Sequence, residues 1–69
     1  MQLQNSQYII RLSQAILKTG LSRSTIYTLI KLGDFPKQIQ LSPLTMGFLE
    51  SELDQWITAR IAASRVEAQ

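Results

Sequence analysis

The first half of the chain has two short runs of apolar residues at helical spacing, separated by a glycine. A serine precedes each run, and a serine hydroxyl can accept a hydrogen bond from a free backbone N–H at a helix start. Ser13 therefore predicts a first helix over residues 14–18, and Gly20 lies where a helix ends in a residue of positive φ. The apolar positions of this helix are Leu12, Ala15 and Ile16.

The second run predicts a longer helix over residues 23–32. Ser22 is its predicted N-cap, Gly33 is its predicted end, and Pro36 prevents continuation. Its apolar face comprises Ile26, Leu29 and Ile30. Its opposite face is polar, contains no acidic residue, and comprises Arg23, Ser24, Tyr27, Thr28 and Lys31.

Strand signals lie on both sides of these helices. Residues 8–12 have the composition of a short edge strand or of an extended segment that leads into the first helix. Residues 35–41 end in alternating apolar and polar positions, which is typical of a strand. Residues 42–45 are a predicted turn with proline at its second position, and residues 46–49 are the predicted second strand. The later pattern predicts a β-hairpin.

The last part of the chain predicts a third, amphipathic helix. Ser51 is its predicted N-cap, with Asp54 as the acidic partner of a capping box. Trp56 lies in its apolar stripe, where a tryptophan belongs to the core more often than to a stacking platform. The stripe comprises Leu53, Trp56, Ile57, Arg60 and Ile61, and we expect fraying over residues 62–69.

Together these elements predict a single small domain that is mainly α with a small β-hairpin. Two helices joined by a tight turn, then a hairpin and a third helix, follow the order of a winged helix-turn-helix, whose hairpin is the wing. A generic helical hairpin is the alternative. The predicted division is a flexible N-terminus over 1–7, the winged helix over 8–63 and a frayed tail over 64–69.

The composition argues against an enzyme. The 69 residues contain no cysteine and no histidine, so a thiol nucleophile, the commonest general base and the commonest zinc ligands are missing. Glu50, Glu52 and Asp54 point in different directions at a spacing of two, which argues against a metal site. No glycine-rich phosphate loop or nucleophile–base pair is present. We expect no catalysis, no metal or other cofactor and no small-molecule substrate.

Neither a membrane segment nor a signal peptide is evident. No apolar run approaches the roughly 20 residues that span a bilayer, and residues 1–7 lack the basic and apolar regions of a signal peptide. The absence of cysteine is compatible with a reducing cytoplasm. We therefore expect a cytoplasmic protein with no membrane partner.

Basic residues are concentrated in the first part of the chain. Residues 1–49 carry five basic residues and one acidic residue, a balance of +4, whereas residues 50–69 carry two basic and four acidic residues, a balance of −2. The first part can therefore face a polyanion. The polar face of the second helix offers the donors that bind phosphates and base edges in the major groove, so double-stranded DNA is the predicted partner.

The side chains of that helix have different predicted roles. Arg23 can bond guanine O6 and N7 together or bind a phosphate, although a cation is slightly unfavourable at a helix start. Ser24 and Thr28 are predicted base readers, and Lys31 is a predicted backbone contact. Tyr27 either reaches a phosphate or covers the edge of the core.

The wing has one cation near it. Lys37 lies at the entrance of the hairpin, where it suits a phosphate. The tip over residues 42–45 has no basic residue, whereas wings that enter the minor groove usually carry one. We expect such a tip only to rest against the DNA backbone.

Four blocks follow one another in a fixed order. They are RLS at 11–13, TGLSRSTIY at 19–27, GDFPK at 33–37 and ESELDQWI at 50–57. In this order and at these distances they resemble the AlpA family of phage and prophage transcriptional regulators, over about residues 8–63. The SRSTIY segment by itself also occurs in MerR-type and resolvase-type helix-turn-helices.

The resemblance implies a compact winged helix related to the excisionase and MerR DNA-binding domains. It also implies a bacterial, cytoplasmic and nucleoid-associated regulator of transcription, often of an integrase gene. Leu44 stands where wings of the family commonly have arginine, and Phe48 stands where they have tryptophan, so only the apolar anchor is kept. The recognition-helix role carries over to Arg23, Ser24, Thr25, Tyr27, Thr28 and Lys31.

Two other functions stay open from the sequence. An excisionase-like protein would bend attachment-site DNA to direct recombination. A protein-binding adaptor would use exposed apolar side chains, for which Leu17, Leu44 and Met46 are the candidates. A single recognition helix reads only a few base pairs, so a homo-oligomer, arrayed copies or another partner is expected to supply specificity.

Overall fold

The computed structural model describes residues 7–67, and the side chains of residues 7–65. Its elements are β1 (Ile9–Ile10), α1 (Leu12–Thr19), α2 (Arg23–Leu32), β2 (Ile39–Ser42), β3 (Thr45–Leu49) and α3 (Glu50–Glu67). The predicted fold class, mainly α with a small hairpin in the order of a winged helix-turn-helix, is confirmed.

A glycine turn joins α1 to α2. Gly20 ends α1 with a φ of 76°, and its N–H donates to the Ile16 carbonyl at 2.8 Å. Thr19 Oγ1 donates to the Ala15 carbonyl at 2.8 Å and accepts from the Leu21 N–H at 3.1 Å. The predicted turn is therefore confirmed. Glycine suits it, because a residue with a Cβ adopts this positive φ only at a cost of about 1–2 kcal/mol.

Both ends of α2 lie where the sequence predicts them. Ser22 is the N-cap, and its Oγ accepts from the Thr25 N–H at 3.2 Å. Gly33 ends the helix with a φ of 82°, and its N–H donates to the Ile30 carbonyl at 3.1 Å. Residues within or beside α2 therefore satisfy some of the free backbone groups at each of its two ends.

The strands form one antiparallel sheet in the order β1–β3–β2. Ile9 pairs with Leu49, and Ile10 pairs with Phe48. The predicted edge strand is thus confirmed, although it is only two residues long. A Cβ at Gly47 would collide with Ile9 Cγ2 and lie 3.0 Å from the Ile10 carbonyl oxygen. The missing side chain of Gly47 lets β1 pack closely on the hairpin.

The core joins the sheet to all three helices. Phe35 packs edge-on against Phe48 and Trp56, with ring centroids 5.6 Å and 4.9 Å apart. Trp56 is half-buried, and its Nε1 donates to the Asp34 carbonyl at 2.7 Å, which satisfies its polar atom. The prediction that Trp56 packs on the core is confirmed. The buried apolar residues are Ile10, Ala15, Ile26, Phe35, Phe48 and Leu53.

The predicted N-cap of α1 is wrong. Arg11, not Ser13, is the N-cap, and the helix begins at Leu12. The Arg11 N–H donates to Gln14 Oε1 at 3.1 Å, and the Arg11 carbonyl accepts from the Gln14 N–H at 3.0 Å. The glutamine side chain therefore satisfies the N–H of the N-cap residue, no side chain caps the first free N–H groups of α1, and Ser13 lies in the first turn.

The predicted N-cap of α3 is also wrong. The Glu50 N–H donates to the Tyr8 carbonyl at 2.8 Å, so the chain turns from the β1–β3 pair directly into the helix. Ser51 lies inside α3 as a result. Asp54 is not the partner in a capping box, because its carboxylate lies 2.8 Å from Lys18 Nζ.

At its far end α3 extends to Glu67. The expected fraying over residues 62–69 stays a prediction. Ala62, Ala63 and Arg65 are exposed here, and alanine and arginine are strong helix formers. Residues 1–6 and 68–69 lie outside the described part of the chain, so the flexible N-terminus and the last residues of the tail stay predictions.

Two features are absent from residues 7–67. No helix there has the length and apolar character needed to cross a membrane. No cluster of acidic, histidine or cysteine side chains in that range has the arrangement of a metal site.

Candidate nucleic-acid interface

The polar face of α2 points away from the core. Ile26 is fully buried, and Leu29 and Ile30 pack against the core cluster, which turns the opposite side of the helix outward. Along its whole described length α2 carries no acidic residue. The side chains exposed on the outer face are Arg23, Ser24, Tyr27, Thr28 and Lys31.

Thr25 is also exposed, but its polar groups are already bonded. Its N–H donates to Ser22 Oγ at 3.2 Å, and Ser22 Oγ donates to Thr25 Oγ1 at 2.9 Å. Ser22 Oγ lies 3.4 Å from Ser24 Oγ as well. In this structure Thr25 therefore stabilises the start of α2, and the DNA contact that the resemblance implies for it stays a prediction.

A groove lies between the start of α1, the first turns of α2 and the hairpin. We call it the arginine groove because Arg11, the N-cap of α1, and Arg23, the first residue of α2, both line it. It brings together the predicted site residues Arg23 and Tyr27, and Tyr27 is 44% exposed there. Its polar lining is completed by Arg11, Ser13 and Gln38, beside the apolar Met46.

The sequence did not point to Arg11 or Gln38 as site residues. Lys37, which it did predict, lines a different depression with Glu52, Trp56 and Arg60. Neighbouring side chains at 37 and 38 thus line different surfaces. No local pattern marks Arg11, because its place beside Arg23 depends on how α1 packs against α2.

Lys18 is the one cation in the described residues that forms ion pairs. Its Nζ lies 2.8 Å from Asp54 Oδ1 and 3.0 Å from Glu50 Oε2. Hydrogen bonds to Asp54 and then to Glu50 raise the pKa of Lys18 above its ordinary value of 10.5. Arg11 and Arg23 form no ion pair within the part of the chain that the structure describes.

The tip of the wing is apolar and exposed. Leu44 is 94% exposed, and its N–H donates to Ser42 Oγ at 3.2 Å in the hairpin turn. Leu41 and Met46 on the adjoining strands are also exposed. The tip therefore offers apolar surface rather than a cation.

The order of the elements, the glycine turn and the acid-free outer face of α2 define a small winged helix-turn-helix protein. The chain matches the family described as prophage CP4-57 regulatory protein (AlpA) over residues 8–61. It belongs to this family, so the resemblance inferred from the four blocks is confirmed.

Two relatives extend this result. The chain is 41% identical over 56 residues to the uncharacterized protein ORF88 of Enterobacteria phage P4, covering 81% of this chain and 64% of that protein. It is 36% identical over 58 residues to the DNA-binding transcriptional activator AlpA of Escherichia coli (strain K12), covering 75% of this chain and 83% of that protein. The match thus spans less than two thirds of the phage P4 protein. No solved structure matches the chain significantly.

Proposed function

We propose that this protein is a sequence-specific DNA-binding regulator of phage or prophage transcription, with α2 as the recognition helix in the major groove. The observation that carries the proposal is the outer face of α2, which offers cations and hydroxyls and no carboxylate. Family membership and the DNA-binding relative in Escherichia coli support it. The partner is double-stranded DNA.

The exposed side chains of α2 divide into base readers and phosphate contacts. Arg23 lies at the start of the helix, the end that approaches base edges in helix-turn-helix proteins, and it bonds guanine O6 and N7. Ser24 and Thr28 are four residues apart on the same face and contact neighbouring base edges. Tyr27 and Lys31, also four residues apart, contact phosphates along one edge of that face.

Thr25 and Lys37 have lesser roles in this proposal. Thr25 acts through its bonds to Ser22, which keep the start of α2 in place. Lys37 reaches a phosphate beside the wing, but Glu52 lines the same depression and weakens the attraction. We therefore expect Lys37 to contribute less to binding than Arg23.

The proposal extends to the site of action. The regulated gene is an integrase gene near the gene for this chain, and the protein acts in the bacterial cytoplasm on nucleoid DNA. One recognition helix reads few base pairs, so more than one copy occupies each operator. Footprinting across the neighbouring integrase promoter tests the target, and analytical ultracentrifugation of the complex counts the bound copies.

DNA binding itself is tested by fluorescence anisotropy. Duplexes from the genomic neighbourhood of the gene and a scrambled duplex are titrated at several salt concentrations. We expect tighter binding to one native duplex and affinity that falls as salt rises, since bound cations release counterions from DNA. The variant with both Arg23→Ala and Lys31→Ala should lose this binding.

A matched control separates the recognition helix from charge in general. Arg65→Ala removes an exposed cation from α3, and it is preferable to a change at Arg60, whose guanidinium lies 4.9 Å from the Trp56 ring centroid. Arg65→Ala should bind as the wild type does. If the double variant at Arg23 and Lys31 also bound unchanged, α2 would not be the recognition helix.

The same complexes distinguish a regulator from an excisionase-like factor. Circular-permutation gel shifts measure the bend, and a promoter fusion measures transcription. Promoter activation with little bending supports the regulator. Strong bending at clustered attachment sites, with no change in transcription, would favour the excisionase-like function.

The exposed wing tip favours one further candidate, a protein-binding adaptor. Leu44 has nearly its whole side chain in water, and Leu41 beside it is half exposed. Retention of a phage or host protein by the wild type, and its loss with Leu44→Ser, would support this function. If the wild type bound no DNA at low salt as well, the adaptor would replace the regulator as the leading proposal.

A further inference from the structure

We propose that Arg11 binds a phosphate of the duplex, so that the arginine groove holds the sugar–phosphate strand beside the recognition helix. This inference rests on the proposed function and adds a contact from the N-cap of α1, outside the recognition helix. The interface then has two parts, because the N-cap of α1 and the first residue of α2 contribute one guanidinium each to the same groove.

The Arg11 side chain is not needed to start α1. The two cap hydrogen bonds use the Arg11 backbone N–H and carbonyl, with Gln14 as the partner of both. A cation at the start of a helix is unfavourable for the helix dipole, so the guanidinium does not stabilise α1 through that field. The side chain is exposed and forms no ion pair with the described residues.

The lining of the groove suits a sugar–phosphate strand. A guanidinium presents a planar fork of donors that matches two phosphate oxygens. Ser13 and Gln38 add neutral donors, and Met46 adds an apolar surface against which a deoxyribose can pack. Sequence readout is not expected from Arg11, because phosphate contacts are the same for every base.

Two other depressions on the described part of the molecule also have cations in their lining. In both of them acidic side chains offset part of the positive charge. The depression at Lys37 includes Glu52 in its lining. The depression at Lys18 and Arg60 has no acidic residue in its lining, but Lys18 is bonded to Asp54 and Glu50. The arginine groove has no acidic residue in its lining, and neither of its arginines forms an ion pair with a described residue, so of these three surfaces it attracts a polyanion most strongly.

The test measures the salt dependence of binding for the whole chain. Anisotropy titrations use the native duplex and the scrambled duplex with wild type, Arg11→Gln, Arg11→Lys and the control Arg65→Gln. We expect Arg11→Gln to weaken binding to both duplexes by a similar factor, about tenfold for one charge-assisted hydrogen bond. The slope of log affinity against log salt should fall by about 0.9, the value for one phosphate contact.

The controls make each outcome decisive. Arg11→Lys should keep most of the slope, Arg65→Gln should keep all of it, and circular dichroism should show that every variant is fully folded at the temperature of the titrations. If Arg11→Gln and Arg65→Gln gave equal slopes while Arg23→Ala abolished binding, Arg11 would not contact DNA and the proposed function would stand. If the wild type bound neither duplex at low salt, the proposed function and this contact would both fail.

A free anion is the remaining alternative for the groove. Phosphate ions are tested against chloride at equal ionic strength. We expect phosphate to weaken wild-type binding no more than chloride does, because the groove binds a strand through several contacts. Strong competition that disappears in Arg11→Gln would show a site for small anions and would overturn the proposed strand contact.

Discussion

Arg11 and Lys18 lie at opposite ends of α1 and meet different surroundings. Lys18 lies in the last helical turn, where a cation suits the helix dipole, and it bonds Glu50 and Asp54 of α3. Arg11 is the N-cap residue before the first turn, where the dipole disfavours a cation, and it has no ion pair in the described residues. Lys18 therefore connects two helices of the fold, whereas the charge of Arg11 is available to a partner.

The largest effect on stability is expected from Phe48→Ala. Phe48 belongs to the core against which α1 packs, so both ends of α1 depend on it. Phe48 is fully buried, pairs with Ile10 and packs against Phe35. We expect a loss of about 3–5 kcal/mol in the free energy of unfolding, from lost burial and the cavity left behind. Urea denaturation followed by circular dichroism measures it.

The matched control for this change is Leu44→Ala in the same hairpin. Leu44 is 94% exposed, so its truncation should leave the midpoint of denaturation nearly unchanged. Equal losses from both variants would mean that the hairpin tip is covered in solution and that the core assignment needs revision.

The second effect concerns the outer face of α2, whose cations form no ion pair with the described residues. Ser24→Glu places a carboxylate in the first turn of α2, where an anion adds about 0.3–1 kcal/mol to helix stability. The same carboxylate would repel DNA phosphates, so we expect a higher melting temperature together with at least tenfold weaker DNA binding.

Thr58→Glu is the control for the added charge, because Thr58 is exposed on the acidic α3. It should leave DNA affinity close to that of the wild type. If Thr58→Glu weakened binding as much as Ser24→Glu, net charge rather than the face of α2 would govern the interaction.

The third effect lies at the end of α1 that carries Lys18. Gly20 has a φ of 76° and no atoms within 4 Å of a built Cβ, so Gly20→Ala introduces backbone strain without a collision. We expect a loss of about 1–2 kcal/mol in unfolding free energy. Gly20→Asn should lose less, because asparagine adopts this conformation more readily. Equal losses for alanine and asparagine would contradict this explanation.

The smallest effect is expected from Lys18→Met. It removes the two ion pairs of an exposed cation, so the loss of stability should be small, and DNA affinity at neutral pH should not change. Weaker DNA binding by a fully folded Lys18→Met would contradict the assignment of Lys18 to the fold alone.

The stability that Lys18 contributes should also depend on pH. The pKa of Lys18 in the folded chain is raised above 10.5, chiefly by its hydrogen bond to Asp54. The stability it contributes is therefore fully present below its unfolded pKa and is lost as the pH rises through the folded pKa. Thermal melts should show wild type and Lys18→Met converging at alkaline pH, and a constant difference would contradict the assignment.

Local signals predicted α2 and the hairpin well. Ser22 and Gly33 determine the ends of α2 through bonds to residues within four positions, and the turn at 42–45 joins the two strands. The same kind of reasoning failed at Ser13 and Ser51. In both places a strand of the sheet leads into the helix, and its pairing determines where the helix begins.

The candidate site was predicted only in part. The outer face of α2 follows from the spacing of Ile26, Leu29 and Ile30, because burial of one face exposes the other. Lys37 has the expected charge but lines a depression that it shares with Glu52. Arg11 was missed because its neighbours in the groove come from α2 and the hairpin.

The sequence by itself determined the ends of α2, the hairpin turn, the acid-free face of α2 and the family. These features depend on caps, positive φ angles and periodicity, which act over a few residues. Only the tertiary structure decided which cations are paired: Lys18 bonds Glu50 across 32 positions, and Arg11 joins Arg23 in one groove. Charge interactions depend on distance in space, and that distance exists only after the core has brought α1, α2 and α3 together.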